Sequence, residues 1–75
     1  MDKTFNEIVA KMFNIKEVKI RDNLSSKDIP DWDSMNYLLF IAELEKEFNL
    51  SFSMDEVLNA TTLGTIKNLL KMKSK

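Results

Sequence analysis

Apolar residues recur with a helical period over most of this chain. Phe5, Ile8, Val9, Met12 and Phe13 fall at i, i+3, i+4 and i+7 and predict an amphipathic helix from about Lys3 to Asn14. Asn6, Glu7 and Lys11 are expected on its outer side. The period then lapses from Ile15 to Asp33, where Asp22-Asn23-Leu24-Ser25-Ser26-Lys27-Asp28 is turn chemistry. Ile20, Leu24 and Ile29 are the side chains expected to pin this long connection across the rest of the fold. A second helix is predicted from Ser34 to about Phe48, with Leu38, Ile41, Leu44 and Phe48 as its core face. Tyr37 and Phe40 widen that stripe, and Met35 and Leu39 lie off its centre. Asn49 is the expected stop of this helix. Ser53 to Leu58 reads as one short helix with apolar Met54, Val57 and Leu58. Thr61-Thr62 caps a last helix that turns Leu63, Ile66, Leu69 and Leu70 inward. The fold class expected is all-α: a small four-helix bundle with a long loop between helices 1 and 2, a short third helix, and one domain over residues 1–75.

The start of the second helix carries the most local information. Asp33 is the best N-cap, because its short carboxylate can accept from a free amide of the first turn. That choice puts Trp32 at N′ and Tyr37 at N4, the two positions of a hydrophobic staple. Ser34 then becomes the first helical residue and its hydroxyl points into water. Taken alone, an Asp-Ser pair before an apolar run is an ordinary helix start; the remainder of the chain gives it weight.

Composition removes whole classes of chemistry. The 75 residues include no cysteine and no histidine, so there is no thiolate, no disulfide and no usual zinc ligand. The side chain best suited to proton transfer near neutrality is missing as well. A self-contained catalytic site is therefore not expected, and no metal site is. The opening residues lack the apolar core of a signal peptide, and no apolar run reaches membrane-spanning length, so a cytoplasmic protein without membrane insertion is expected.

The net charge of −1 conceals an uneven distribution. Residues 1–27 carry +2, residues 28–56 carry −7, and the remainder carries +4 on lysines alone. The acidic block holds Ser34, which disfavours nucleic acid and favours a basic protein partner on that side. Glu43 and Glu47 are a like-charge i,i+4 pair near a helix C-terminus, which local stability does not explain. They are expected to face such a partner, with Met35 and Val57 adding apolar contacts. Lys16, Lys19 and Arg21 alternate with acids and read as solvated surface; Lys67, Lys71 and Lys73 suit the end of the helix dipole.

These features together resemble the acyl carrier protein family, and the resemblance covers nearly the whole chain. The family's Asp-Ser-Leu signature falls on Asp33-Ser34-Met35, its Leu-Glu-Glu-Glu-Phe on Leu44-Glu45-Lys46-Glu47-Phe48, and its Thr-Thr-Val on Thr61-Thr62-Leu63. The resemblance implies a 4′-phosphopantetheine arm on Ser34, placed there from coenzyme A by a separate phosphopantetheinyl transferase, with Asp33 as the signature acid. It implies a monomeric carrier that holds acyl or aminoacyl groups as thioesters. An acyl- or aminoacyl-loading ligase and downstream biosynthetic enzymes would be its further partners. Several positions depart from the family pattern. Asp31 and Trp32 stand where a glycine is common, Leu39 and Asn36 stand where acids are common, and the tail is rich in lysine. Pro-Asp-Trp-Asp-Ser-Met is more like the discrete carriers of specialised biosynthetic clusters. Asp-Ser-Met is also similar to D-alanyl carriers of cell-envelope polymers, so an aminoacyl cargo is the alternative. An unmodified helical interaction module is the alternative from outside the family.

Overall fold

A computed structural model describes residues 2–74. Its elements are α1 (Asp2–Phe13), a single 3-10 turn (Glu17–Lys19), α2 (Ser34–Phe48), α3 (Met54–Asn59) and α4 (Leu63–Lys73). There are four helices and, among the described residues, no strand; one isolated antiparallel bridge pairs Ser25 with Thr62.

Local chemistry sets the helix limits. Asn14 and Asn49, both at φ 54, terminate α1 and α2 in the left-handed conformation that asparagine tolerates better than most residues. Beyond each, the next amide reaches back five residues: Ile15 N donates to Ala10 O and Leu50 N to Glu45 O. Ser53 caps α3 in a reciprocal box, accepting from Glu56 N while Glu56 accepts from Ser53 N. Thr62 caps α4 by accepting from Thr65 N.

Phe40 stands at the centre of the core. It is fully buried, 5.0 Å from the Phe13 ring and 6.0 Å from the Phe5 ring. Val9, Ile29, Leu44, Leu63, Ile66 and Leu70 close around the same core, each contributing about 1.5–3 kcal/mol by burial. Ile29 is thus the strongest pin of the long loop, with Ile20 and Leu24 packed partly against the core.

The inward face of α2 differs from the periodic expectation. Leu38 is 54% exposed and Phe40 takes its place inside. Both choices satisfy a helical stripe, and the larger ring fills the gap between Phe5 and Phe13 that a leucine would leave open. On α3 only Val57 turns inward; Met54 and Leu58 are exposed. Asn6, expected outside, is half-buried with its amide oxygen shielded and unpaired.

The long loop is latched to α4 by backbone as well as by apolar pins. Leu63 N donates to Leu24 O at 3.0 Å and Gly64 N to Asp22 O at 2.8 Å. A Cβ at Gly64 would lie 2.9 Å from the Asp22 Cβ, so only glycine admits this approach. Lys67, the least exposed of the three paired lysines, adds a 2.8 Å ion pair to Asp22.

Candidate functional site at the head of α2

The approach to α2 is held from both sides. The Trp32 ring stacks on Phe13 at 5.2 Å and on Tyr37 at 5.4 Å, nearly parallel to the first and inclined by 21° to the second. This is the staple expected from the sequence, extended by a third ring from α1. The Tyr37 hydroxyl continues it, donating to Val57 O at 2.7 Å with Ala60 O at 3.2 Å. Burial raises the Tyr37 pKa above its ordinary value, so the group remains a donor throughout the physiological range. Asn36 Nδ2 ties the preceding turn by donating to Asp31 O.

Asp33 is extended at φ −106 and ψ 178, and its Oδ1 accepts from Asn36 N at 2.8 Å. The cap is therefore the aspartate. Ser34 is left as the first helical residue, exposed, and among the described residues nothing is hydrogen-bonded to its hydroxyl. A shallow groove of about 370 Å³ runs beside it, lined by Ser26, Trp32, Asp33, Ser34 and Tyr37. The amides of Ser34 and Met35 open a helix whose first-turn donors lie at the positive end of the dipole, a setting that suits a phosphodiester on the adjacent oxygen.

The expected partner residues do not all gather here. Met35, next to Ser34, is 72% exposed. Val57 is only 8% exposed and belongs to the core, which corrects the expectation of a surface contact there. Glu43 and Glu47 share a groove with Thr4, Glu7, Ile8 and Lys11, on the α1 flank of α2. Nine residues after Ser34, Glu43 has rotated about half a turn from it at about 100° per residue, so this pair lies away from the serine.

The acidic block also has a structural explanation that its charge count hides. Asp28 accepts from Ser25 N, Asp33 from Asn36 N, Glu45 from Phe52 N and Glu56 from Ser53 N. Half of the eight acids in residues 28–56 thus satisfy backbone amides at turns and helix starts. Glu56 is paired besides with Lys73 at 2.8 Å. That bond is the main cause of its lowered pKa, with the Ser53 amide second. The sequence signal for these roles was spacing: Asp28 and Glu56 each stand three residues after the serine whose amide they hold.

Among the described residues no group of His, Cys, Asp and Glu could hold a metal ion, and no helix is long and apolar enough to cross a membrane. What remains at the head of α2 is an exposed hydroxyl at a helix start, beside the Asp33 carboxylate that the cap engages. Such an arrangement can accept a group from a separate enzyme, and the four-helix bundle holds it at the surface. The chain belongs to the family described as "Phosphopantetheine attachment site", whose model matches residues 4–70. Among solved structures it is similar in fold to "a putative acyl carrier protein(Rv0033) from Mycobacterium tuberculosis", with a TM-score of 0.85 and 22% identity over 95% of each chain. No curated protein matches it. Its cofactor is a covalent 4′-phosphopantetheine, and its fold is that of the acyl carrier protein it resembles. Carriers of this family work with phosphopantetheinyl transferases and biosynthetic enzymes.

Proposed function

We propose that Ser34 is the residue that bears the arm, and that the 75 residues act as one carrier domain presenting acyl intermediates to the enzymes of a biosynthetic pathway. The observation that carries this reading is the division of labour between neighbours: Asp33 caps the helix, which leaves the Ser34 hydroxyl exposed and unbonded. In the modification, the Ser34 oxygen bonds to the phosphorus bearing pantetheine, the pyrophosphate of coenzyme A breaks, and its nucleotide half leaves. The hydroxyl proton passes to a base of the transferase, since the adjacent carboxylate of this chain, Asp33, is engaged in capping Asn36 N. Once attached, the arm supplies a terminal thiol that holds the cargo as a thioester. A mobile tether raises the local concentration of that cargo at each partner's active site.

A second reading, an aminoacyl carrier of the D-alanyl type, draws on Asp33-Ser34-Met35. Both readings share the arm and differ in the loading ligase.

The test is direct. The unmodified protein is incubated with coenzyme A and a broad-specificity transferase, digested, and the added mass mapped. The arm is expected on Ser34. An arm on Ser26 or Ser51, the other exposed serines without a side-chain hydrogen bond, or no arm at all, refutes the assignment. Mass analysis of protein taken from its native cells then separates acyl from aminoacyl cargo.

A further inference from the structure

We propose that a groove within the long loop takes an acidic segment of a partner protein, with an apolar side chain of that segment in the groove and its carboxylates on Lys19 and Arg21. The surface is a second one, separate from the head of α2, and its role does not depend on which serine bears the arm.

The groove, of about 310 Å³, is lined by Ile15, Lys19, Arg21, Leu24, Asp28 and Ile29. Ile29 is buried and Ile15 and Leu24 are half-buried, so its floor is aliphatic, while the two cations are exposed. Val18 stands next to Lys19 on the 3-10 turn, which is closed by Lys19 N donating to Lys16 O at 2.9 Å. At 86% it is the most exposed large hydrophobic among the described residues. A lone exposed valine needs no explanation. Held on a closed turn beside an aliphatic groove, it adds to the apolar contact that an incoming chain can make.

Charge decides what kind of partner fits. In sequence the cations of this loop alternate with acids, which alone would make a neutral, solvated surface. The fold separates them. Asp22 is paired with Lys67 at 2.8 Å, Glu17 does not line the groove, and Asp28 turns its Oδ2 to Ser25 N at 3.1 Å. Lys19 and Arg21 have no ion pair among the described residues. They outnumber the one acid of the lining, and Lys16 and Lys27 add positive charge on the same loop. An aliphatic floor with cations at its rim complements a segment that carries one bulky apolar side chain between carboxylates. Arg21 can take such a carboxylate through two parallel N–H bonds. A small free anion would leave the floor and Val18 unused. An anionic bilayer is too flat to fill the groove and would press on Glu17 and Asp28 as well.

Amide chemical shifts of the full chain, titrated with the synthetic peptide acetyl-Asp-Glu-Leu-Glu-Asp-amide, test this. The comparison probes are the same peptide with serine for leucine, inorganic phosphate, and phosphatidylcholine vesicles with and without phosphatidylglycerol. The proteins are the wild type, Lys19→Gln/Arg21→Gln and Lys16→Gln/Lys27→Gln, each verified for folding by circular dichroism and for mass by sedimentation. The leucine peptide is expected to shift amides of residues 15–29 and to saturate with a Kd of about 1 mM or below. The serine peptide is expected to bind at least about fivefold more weakly, because it leaves the aliphatic floor uncovered. Lys19→Gln/Arg21→Gln is expected to weaken the leucine peptide about tenfold at low salt, and Lys16→Gln/Lys27→Gln by no more than about threefold. No saturation by the leucine peptide, or shifts centred on another element, overturns the docking groove. Serine peptide or phosphate binding as tightly as the leucine peptide reduces it to a diffuse anion patch and overturns it too. So does binding to the phosphatidylglycerol vesicles by the wild type and the groove variant alike, or a wild-type dimer that Lys19→Gln/Arg21→Gln dissolves.

Discussion

The Trp32 ring lies against Tyr37 at 5.4 Å between centroids, and the far end of Tyr37 is bonded to the carbonyl of Val57. One tyrosine therefore connects the approach to Ser34 with α3, across 20 residues of sequence. The side chain expected to staple the helix start and widen the apolar stripe is also the fastening between two elements of the site.

Tyr37→Phe keeps the stack and removes only the hydroxyl. Losing the bond to Val57 O is expected to cost about 0.5–1.5 kcal/mol in urea unfolding. Amide exchange in α3 is expected to quicken more than exchange in α1. An unchanged α3 would show that Val57 and Ala60 hold the helix by packing alone.

Asp33 and Ser34 are expected to separate structure from chemistry. Asp33→Ala removes the cap and is expected to lower stability by about 0.5–2 kcal/mol. Ser34→Ala touches no bond and is expected to stay within about 0.5 kcal/mol of wild type while accepting no arm. Thermal midpoints and intact masses of the two variants are the measurements; a greater loss for Ser34→Ala would reverse the capping assignment.

The rotation of α2 is open to the same kind of test. Phe40→Ala empties a site between three helices' worth of packed rings and side chains and is expected to cost about 3–5 kcal/mol. Leu38→Ala, at an exposed position, is expected to change stability by no more than about 0.5 kcal/mol. Denaturant midpoints in the opposite order would place Leu38 inside.

Glu56 gives the fold a dependence on acid. Its carboxyl is held below the ordinary value of 4.5, chiefly by the hydrogen bond from Lys73 and next by the Ser53 amide. A folded value below the unfolded one means that the unfolded chain takes up the proton first. The contribution is therefore complete above pH 4.5 and is lost as pH falls through the lower folded value. Glu56→Gln is expected to melt below wild type at neutrality and to converge with it in acid. A gap that stays constant from neutrality through that range would assign the effect to the side chain's shape.

Local signals were legible in the sequence, and choices between equivalent faces were not. Asp33, Trp32 and Tyr37 announced the helix start because cap and staple depend only on spacing within one turn. The rotation of α2 was ambiguous because Met35, Leu38, Leu39, Phe40 and Ile41 make it apolar on nearly every side. Periodicity cannot choose among overlapping stripes; the rings of Phe5 and Phe13 on α1 do. Glu43 and Glu47 counted as negative charge near Ser34 in sequence, whereas the helical turn sends them to the α1 flank. The latch between the loop and α4 is made by backbone amides and carbonyls, which carry no side-chain code. The lone glycine, Gly64, was its one visible trace.

That latch has a consequence for the order in which the protein matures. Asp22 and Leu24 leave a ribosome some 40 residues before the amides of Gly64 and Leu63 that their carbonyls accept from. Until those amides arrive, the middle of the loop leading to Trp32 is unlatched, and Leu63, Ile66 and Leu70 are missing from the core. The serine is translated early, yet its setting is completed only when α4 has been made. A transferase that reads the folded surface therefore meets it only once α4 is in place, and a chain broken off short of Thr62 carries the Asp33-Ser34 pair without the latch and without Leu63, Ile66 and Leu70.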